Sequence, residues 1–190
     1  MVSRYHPLLV ALHWFLAFFI GAALALGALV MAKLPNSDPM KLEALRSHVI
    51  GGLLIAALML LRLVVRLRTR HPPAATAGTP ELDRLAWLSH RAFYAAVFGM
   101  AASGLTMALQ ADLPTILFGT GGALPPDFWI FAARVVHYTV SRLLIALIAL
   151  HVAGALYHAL VLKDGLLRRM LFGRRRLPEA TPPRHVEPAE

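Results

Sequence analysis

The residues best placed for chemistry in this sequence are histidines, and most of them lie within or beside long apolar segments. Three of the nine, His6, His71 and His185, lie in polar stretches. The other six are His13, His48, His90, His137, His151 and His158. A polar side chain inside a long apolar helix is energetically costly and indicates a site by default. Imidazoles in such places ligate metals, carry protons or hydrogen-bond to a neighbouring helix.

Three of these histidines share one face of the last apolar segment. His137 and His151 are 14 residues apart, so on a helix they point within about 40° of each other and are separated by a rise of about 21 Å. His158 follows seven residues later, within about 20° of the direction of His151. One helix would therefore present imidazoles to its neighbours at two or three depths.

Each of these imidazoles needs a partner from another helix at the same depth. His48 begins the second apolar segment and His137 begins the fourth, so these two match. His13 lies about 7 to 8 Å inside the opposite end of the first segment, and its partner is His151 or His158. Distance from the segment end favours His158. A His13–His158 site would lie about 31 Å from the first pair, however, which leaves both sites at the bilayer faces.

Haem is the metal group that suits two imidazoles from two helices. Its iron takes axial ligands on opposite faces of a flat macrocycle, whereas zinc gathers three or four protein ligands at one point. Gly51, Gly52 and Gly154 lie close to these histidines and would let a macrocycle approach the backbone, although close helix packing explains them equally well. Copper stays an alternative, and any single histidine could instead hydrogen-bond a helix or line a proton path.

The elements that must position these residues are four apolar segments. Hydrophobic residues make up 58% of the 190-residue chain, charged residues 15%, and the mean hydropathy is +0.62. The segments cover residues of about 8–32, 48–67, 85–109 and 135–162, and each reaches the roughly 20 residues that cross a bilayer. The first is too long for the apolar core of a signal peptide. We therefore predict an all-α integral membrane protein, a bundle of four transmembrane helices.

The basic residues predict the orientation of this bundle. Lys and Arg concentrate between the second and third segments and after the fourth, so both termini are expected on the cytoplasmic side. This topology accounts for the net charge of +9 without nucleic acid, for which no binding motif is present. The absence of cysteine excludes disulfides, iron–sulfur clusters and covalently attached haem. Residues 1–173 form the predicted membrane domain, and 174–190 are predicted to be a disordered cytoplasmic tail.

The sequence resembles the bacterial cytochrome b-561 family over roughly residues 4–170, in particular its di-haem superoxide:ubiquinone oxidoreductases. The likeness rests on LHW at 12–14, on SH at 47–48 and at 89–90, on VHYTVSRLLIALIALH at 136–151, and on ALYHALVLKDGLLRRM at 155–170. The resemblance implies four helices around two b-type haems in the bacterial inner membrane. It implies His13 with His151 as axial ligands of the cytoplasmic-side haem, and His48 with His137 as those of the outer-side haem.

The resemblance also implies electron transfer between the outer membrane face and the quinone pool, with superoxide as donor and ubiquinone as acceptor. A cationic mouth would attract superoxide, and the candidates for it are Lys33, Lys41, Arg46 and Arg134. Interfacial anchoring and pairing with haem propionates are the alternative roles of these four cations. His158 is the leading candidate for a quinone contact, narrowly ahead of structural hydrogen bonding. Trp14 could flank the quinone ring, although an interfacial anchor is its favoured role.

Three further polar residues receive expectations of their own. Arg62 and Arg66 could bind haem propionates or lipid phosphates, but their positions at a helix end favour membrane anchoring. His90 is expected to hydrogen-bond to a propionate or to a neighbouring helix rather than to ligate iron.

Two other functions are compatible with the sequence. A cytochrome b subunit of a larger respiratory complex, of the hydrogenase or dehydrogenase type, would receive electrons from a redox partner protein. A haem-free membrane anchor or proton path would use the same histidines without a metal.

Overall fold

The computed structural model describes residues 4–173, and within them the chain is helical. The regular elements are α1 at Pro7–Ala25 with a π-helical continuation at Leu26–Met31, α2 at Pro39–Arg68, α3 at Pro80–Gln110, a short α4 at Leu113–Phe118, a 3-10 turn at Phe128–Ile130, α5 at Ala132–Tyr157 with a π-helical continuation at His158–Leu162, and a 3-10 turn at Leu166–Met170. The tail predicted at 174–190 lies outside the described residues.

The starts of the three first long helices follow one sequence pattern, a capping side chain followed by proline. Pro7, Pro39 and Pro80 open α1, α2 and α3, where the missing N–H of proline would have had no helical partner. The Asp38 side chain accepts the backbone N–H of Met40 at 2.8 Å, which is the cap that the sequence predicts. Helix α2 therefore begins nine residues before His48, outside the apolar segment.

Four of these helices are long and apolar enough to cross a membrane: Pro7–Met31, Pro39–Arg68, Pro80–Gln110 and Ala132–Leu162. They also present large apolar side chains outward, such as Phe18 and Leu160, each about two-thirds exposed. An outer surface of this kind is stable in lipid and costly in water. The predicted all-helical fold with four candidate spans is confirmed, and the protein is a multi-pass membrane protein.

The core of the bundle lies between two levels of histidines. Helix α5 packs along α3, and α1 packs along α2. A buried cluster from all four long helices fills the centre, with Leu16 of α1, Ile55 of α2, Val97 of α3 and Leu144 of α5 among its members. In each helix that carries a paired histidine, these positions fall within the bundle beyond that histidine, so the cluster separates the two levels with apolar packing.

A second apolar cluster closes the end of the bundle near His48. Leu113 and Leu117 of α4 are almost completely buried against Leu45 of α2 and Ala108 of α3. The Leu117 carbonyl accepts two hydrogen bonds from the Arg46 guanidinium, at 2.9 and 2.8 Å. Helix α4 thus lies over this end, held by apolar contact and by one cation.

The ammonium group of Lys41 holds the end of the first long helix to the start of α2. Its Nζ donates to the carbonyl oxygens of Met31 and Leu34, the second at 2.8 Å, and the residue is only 8% exposed. The last carbonyls of a helix have no partner within it and favour a cation. Lys41 therefore does not present its charge to solvent, which corrects the expectation that it lines a cationic mouth.

We expect replacement of Lys41 by methionine to destabilise the bundle, because it leaves the Met31 and Leu34 carbonyls without their donor. The expected loss in the free energy of unfolding is about 1–3 kcal/mol. The measurement is the unfolding transition in detergent, with Lys33→Met as the matched control because Lys33 is exposed at the same end. Equal effects of the two substitutions would contradict this role of Lys41.

Candidate functional site: two histidine pairs

The first pair joins α2 to α5 near the end closed by α4. The ring centres of His48 and His137 are 6.1 Å apart and their planes are inclined by 73°. Both side chains are partly buried and face the bundle. The matched depth predicted for these two residues is therefore present as a direct ring-to-ring approach.

The second pair joins α1 to α5 at the other level. The ring centres of His13 and His151 are also 6.1 Å apart, with an inclination of 63°. Between His137 and His151, α5 is continuous, so 14 residues give a separation of about 21 Å along the helix. The structure brings His13 to His151 and not to His158.

A separation of 6.1 Å is what two imidazoles bound to opposite sides of one metal ion would show. Two metal–nitrogen bonds of about 2 Å, with about 1 Å from each nitrogen to its ring centre, give about 6 Å. Within residues 4–173, no group of three or more His, Cys, Asp or Glu side chains converges on a possible metal position. Two-ligand axial coordination, as in a haem, suits this donor set better than a zinc site does.

The surroundings of His137 fix which of its nitrogens is available. The Ser103 hydroxyl donates its hydrogen towards the Gly99 carbonyl at 2.7 Å and lies 3.1 Å from His137 Nδ1. Because the hydroxyl has only one hydrogen, it accepts the Nδ1–H of His137. Nε2 then keeps its lone pair, as a metal-ligating histidine with a hydrogen-bonded second nitrogen requires.

Two further observations at this level agree with a bound planar group. A Cβ on Gly104 would lie 3.2 Å from His137 Cε1, so this position on α3 must be small for the imidazole to keep its place. The Nδ1 atom of His48 is buried and has no hydrogen-bond partner among the described residues. A buried polar atom of this kind is costly unless something binds the ring. The residues present therefore suit haem.

His90 is a third imidazole at the level of His13 and His151. Its ring centre lies 5.7 Å from that of His151, with the planes at 89°, so distance alone does not exclude it as the partner of His151. Its Nδ1 bonds to the Ala86 carbonyl of its own helix at 2.7 Å, and its side chain is exposed. The partly buried His13 is the better ligand. Sequence analysis expected a partner on another helix for His90, and its hydrogen bond is instead within α3.

His158 faces an acidic partner rather than a second ring. It is 8% exposed, and its Nδ1 lies 2.6 Å from Asp164 Oδ2. Lys163 adopts a left-handed backbone conformation, which ends the helix and turns Asp164 back towards it. The hydrogen bond from His158 is the main cause that lowers the pKa of the Asp164 carboxyl. Nε2 of His158 is left for a further partner.

The chain after α5 returns across the end of the bundle beside His13. Trp14 is half exposed, and its indole N–H donates to the Met170 carbonyl at 2.8 Å. Arg4 donates to the Leu171 carbonyl at 3.1 Å, and Arg169 donates to the Pro73 carbonyl at 2.8 Å. Trp14 therefore has a structural partner in addition to its position near the membrane boundary.

The four predicted steering cations occupy different environments. Lys33 is exposed, and Lys41 is buried. Arg46 bonds to Leu117 and lies 2.5 Å from Glu43 Oε1, so its charge is partly compensated. Arg134 lies over the Trp129 ring at 4.8 Å from the ring centre and interacts electrostatically with His48 and His137.

Sequence reasoning missed Ser103 and Gly104 as neighbours of His137. Both are small residues inside an apolar run, where close helix packing is the ordinary explanation. The signal that could have identified them is their position on α3, since a serine and a glycine in succession indicate where another helix approaches closely. It also missed Tyr94, whose hydroxyl is buried without a partner among the described residues.

Comparison with known proteins gives one family and two informative relatives. The family model described as prokaryotic cytochrome b561 matches residues 4–173. A protein of Escherichia coli (strain K12) named cytochrome b561 homolog 2 is 26% identical over 177 residues, which are 89% of this chain and 92% of that protein. A protein of Yersinia pestis named probable superoxide oxidase CybB is 28% identical over 127 residues, 65% of this chain and 72% of that protein.

We expect Gly104→Ala to impair haem binding by His48 and His137, because the new methyl group would press on the His137 ring. Gly99→Ala is the matched control on the same helix, since a Cβ there would meet only Val140 Cγ1, at 3.9 Å. The measurement is haem per chain, together with the low-spin ferric resonance spectrum. Two haems with unchanged spectra in the Gly104 variant would show that this approach does not matter.

Proposed function

The chain belongs to the prokaryotic cytochrome b561 family, and from that premise we propose that it oxidises superoxide and reduces ubiquinone through two haems. Membership of the family implies membrane electron transfer with b-type haem. The finer proposal concerns the number of haems, the donor and the acceptor. Its support is the pair of histidine sites and the name of the Yersinia pestis relative.

The observation that carries the proposal is the repeated ring-centre distance of 6.1 Å at two levels of α5. His48 with His137 would hold one haem, and His13 with His151 the other. When bound, each haem supplies reversible one-electron chemistry at iron. The residues of this chain supply the orientation of the two groups and a dry path between them.

The apolar cluster between the two levels determines what passes through the bundle. Leu16, Ile55 and Leu144 fill the space between the pairs with buried side chains. Packed apolar side chains exclude water and mobile ions, so electrons can cross where protons have no hydrogen-bonded route. Protons needed for quinone reduction must therefore enter at the level of the second pair.

The overall reaction balances with two donors for each acceptor. Two superoxide anions each lose one electron and become two O₂ molecules. One ubiquinone takes up these two electrons and two protons and becomes ubiquinol. We place both chain termini in the cytoplasm and the first pair towards the outer face of the bacterial inner membrane, because basic residues follow α2 and α5.

His158 and Asp164 are suited to the acceptor side of this reaction. Asp164 accepts the Nδ1–H of His158 at 2.6 Å, so Nε2 of the same ring can exchange a proton with a quinone carbonyl. Trp14 lies at the same end, next to His13, and its indole N–H bonds to Met170. We assign His158 to hydrogen bonding with the quinone and Trp14 to the wall of that site.

The donor side has fewer free cations than the sequence predicts. With Lys41 buried, the exposed Lys33 and the partly exposed Arg46 and Arg134 remain to attract superoxide. Arg134 is the closest of them to the first pair in electrostatic terms, since it acts on both rings.

We expect His13→Ala and His48→Ala each to lose one haem and to retain the other, because each removes one axial ligand from a different pair. His90→Ala is the control, and it should retain both haems although its ring lies near His151. The measurement is haem quantification on purified protein. Loss of a haem from the His90 variant with retention in the His13 variant would reassign the partner of His151.

We expect the purified chain to oxidise superoxide with ubiquinone as acceptor, at two superoxide anions for each ubiquinol formed. The rate should fall as ionic strength rises, because salt screens the attraction between the cations and the anion. A protein with two haems but without this activity would favour a subunit of a larger respiratory complex. A colourless protein would favour the haem-free alternative.

A further inference from the structure

Arg62 lies on the face of α2 that points into the bundle. The buried residues Ile55 and Met59 precede it at seven and three positions, the spacing of one helix face. Its guanidinium donates to the carbonyl of Leu9, which is 1% exposed, at 2.8 Å. The expected role of Arg62 as a membrane anchor is therefore wrong, because its head group is turned to the interior.

Arg62 is placed at the level of the His13–His151 pair. It follows His48 by 14 residues on α2, as His151 follows His137 on α5, and the second and fourth spans of the bundle run in the same direction. The bonded Leu9 carbonyl is one turn before His13, about 6 Å along the helix. Arg62 also interacts electrostatically with both His13 and His151.

The guanidinium at this level lacks an acidic partner. The ion pairs found within residues 4–173 are Arg46–Glu43 and His158–Asp164, and neither includes Arg62. Four of its five N–H groups remain after the bond to Leu9. A partly buried cation without a counterion is costly, and a carboxylate held by two parallel hydrogen bonds is the partner that best compensates it.

A second donor lies beside it. The Tyr94 hydroxyl of α3 is buried, has no hydrogen-bond partner among the described residues, and interacts electrostatically with Arg62. Its neighbour Phe93 packs against His151, with ring centres 5.5 Å apart. A guanidinium and a hydroxyl thus meet next to the metal-binding pair, on the side towards the chain termini.

We propose that Arg62 and Tyr94 bind a carboxylate, a propionate of the haem held by His13 and His151, and that the Arg62 charge raises the midpoint potential of that haem. This inference rests on the proposed di-haem function. Ferric haem carries one more positive charge than ferrous haem, so a nearby cation penalises the ferric form. Low local polarity strengthens the effect.

The test is a redox titration of both haems in the purified di-haem protein. Arg62→Gln should lower the midpoint potential of the His13–His151 haem alone, with about a tenfold change in the equilibrium between the two haems, or about 59 mV for one electron. Tyr94→Phe should lower it by less. Arg62→Lys should retain most of the potential because it keeps the charge. Arg68→Gln is the matched control, an exposed arginine at the end of the same helix.

The outcomes separate this inference from the proposed function. Haem content of the unaltered protein tests the two sites, and the variant potentials test Arg62. Loss of the inner haem in Arg62→Gln with full retention in Arg62→Lys would also support the carboxylate site. Unchanged potentials in Arg62→Gln, a shift of the other haem, or an equal shift in Arg68→Gln would each overturn it.

Discussion

The structure depends on one helical repeat, the interval of 14 residues between His137 and His151. Four turns of helix nearly close on themselves over this interval, so both imidazoles leave α5 on the face that the other helices cover. Helices α1 and α2 must then each supply one ring at a set depth. Helix α3 must come close enough for Ser103 to hold His137, which requires glycine at position 104.

The ends of the helices meet a second constraint, the carbonyl groups left without partners inside a low-polarity environment. This chain satisfies them with long donors from distant positions. Lys41 reaches Met31 and Leu34, Arg46 reaches Leu117, and Arg62 reaches Leu9. The same cations that a topology rule counts as charge are therefore also fasteners between helices, and fewer of them are free to face an anionic substrate.

Sequence patterns predicted the elements better than the orientation of single side chains. Apolar length gave four spans, and spacing placed His48 with His137, because both depend only on helical geometry. Position near a helix end placed Lys41 and Arg62 at the surface, whereas the structure turns both inward. Depth along a helix does not specify which face a residue occupies until its neighbours are known. The choice between His151 and His158 for His13 likewise depended on packing between helices.

Helices α2 and α5 are alike in spacing but unlike in content, and this difference gives the bundle its polarity. At the level of the first pair, α2 provides His48 opposite His137; one repeat later it provides Arg62 near His151, and α1 supplies the second ligand through His13. A site that replaces an imidazole by a cation on the same face favours electrons at that level. Two haems with identical axial ligands would then differ in potential through α2 alone, which directs electrons from the first pair towards the second.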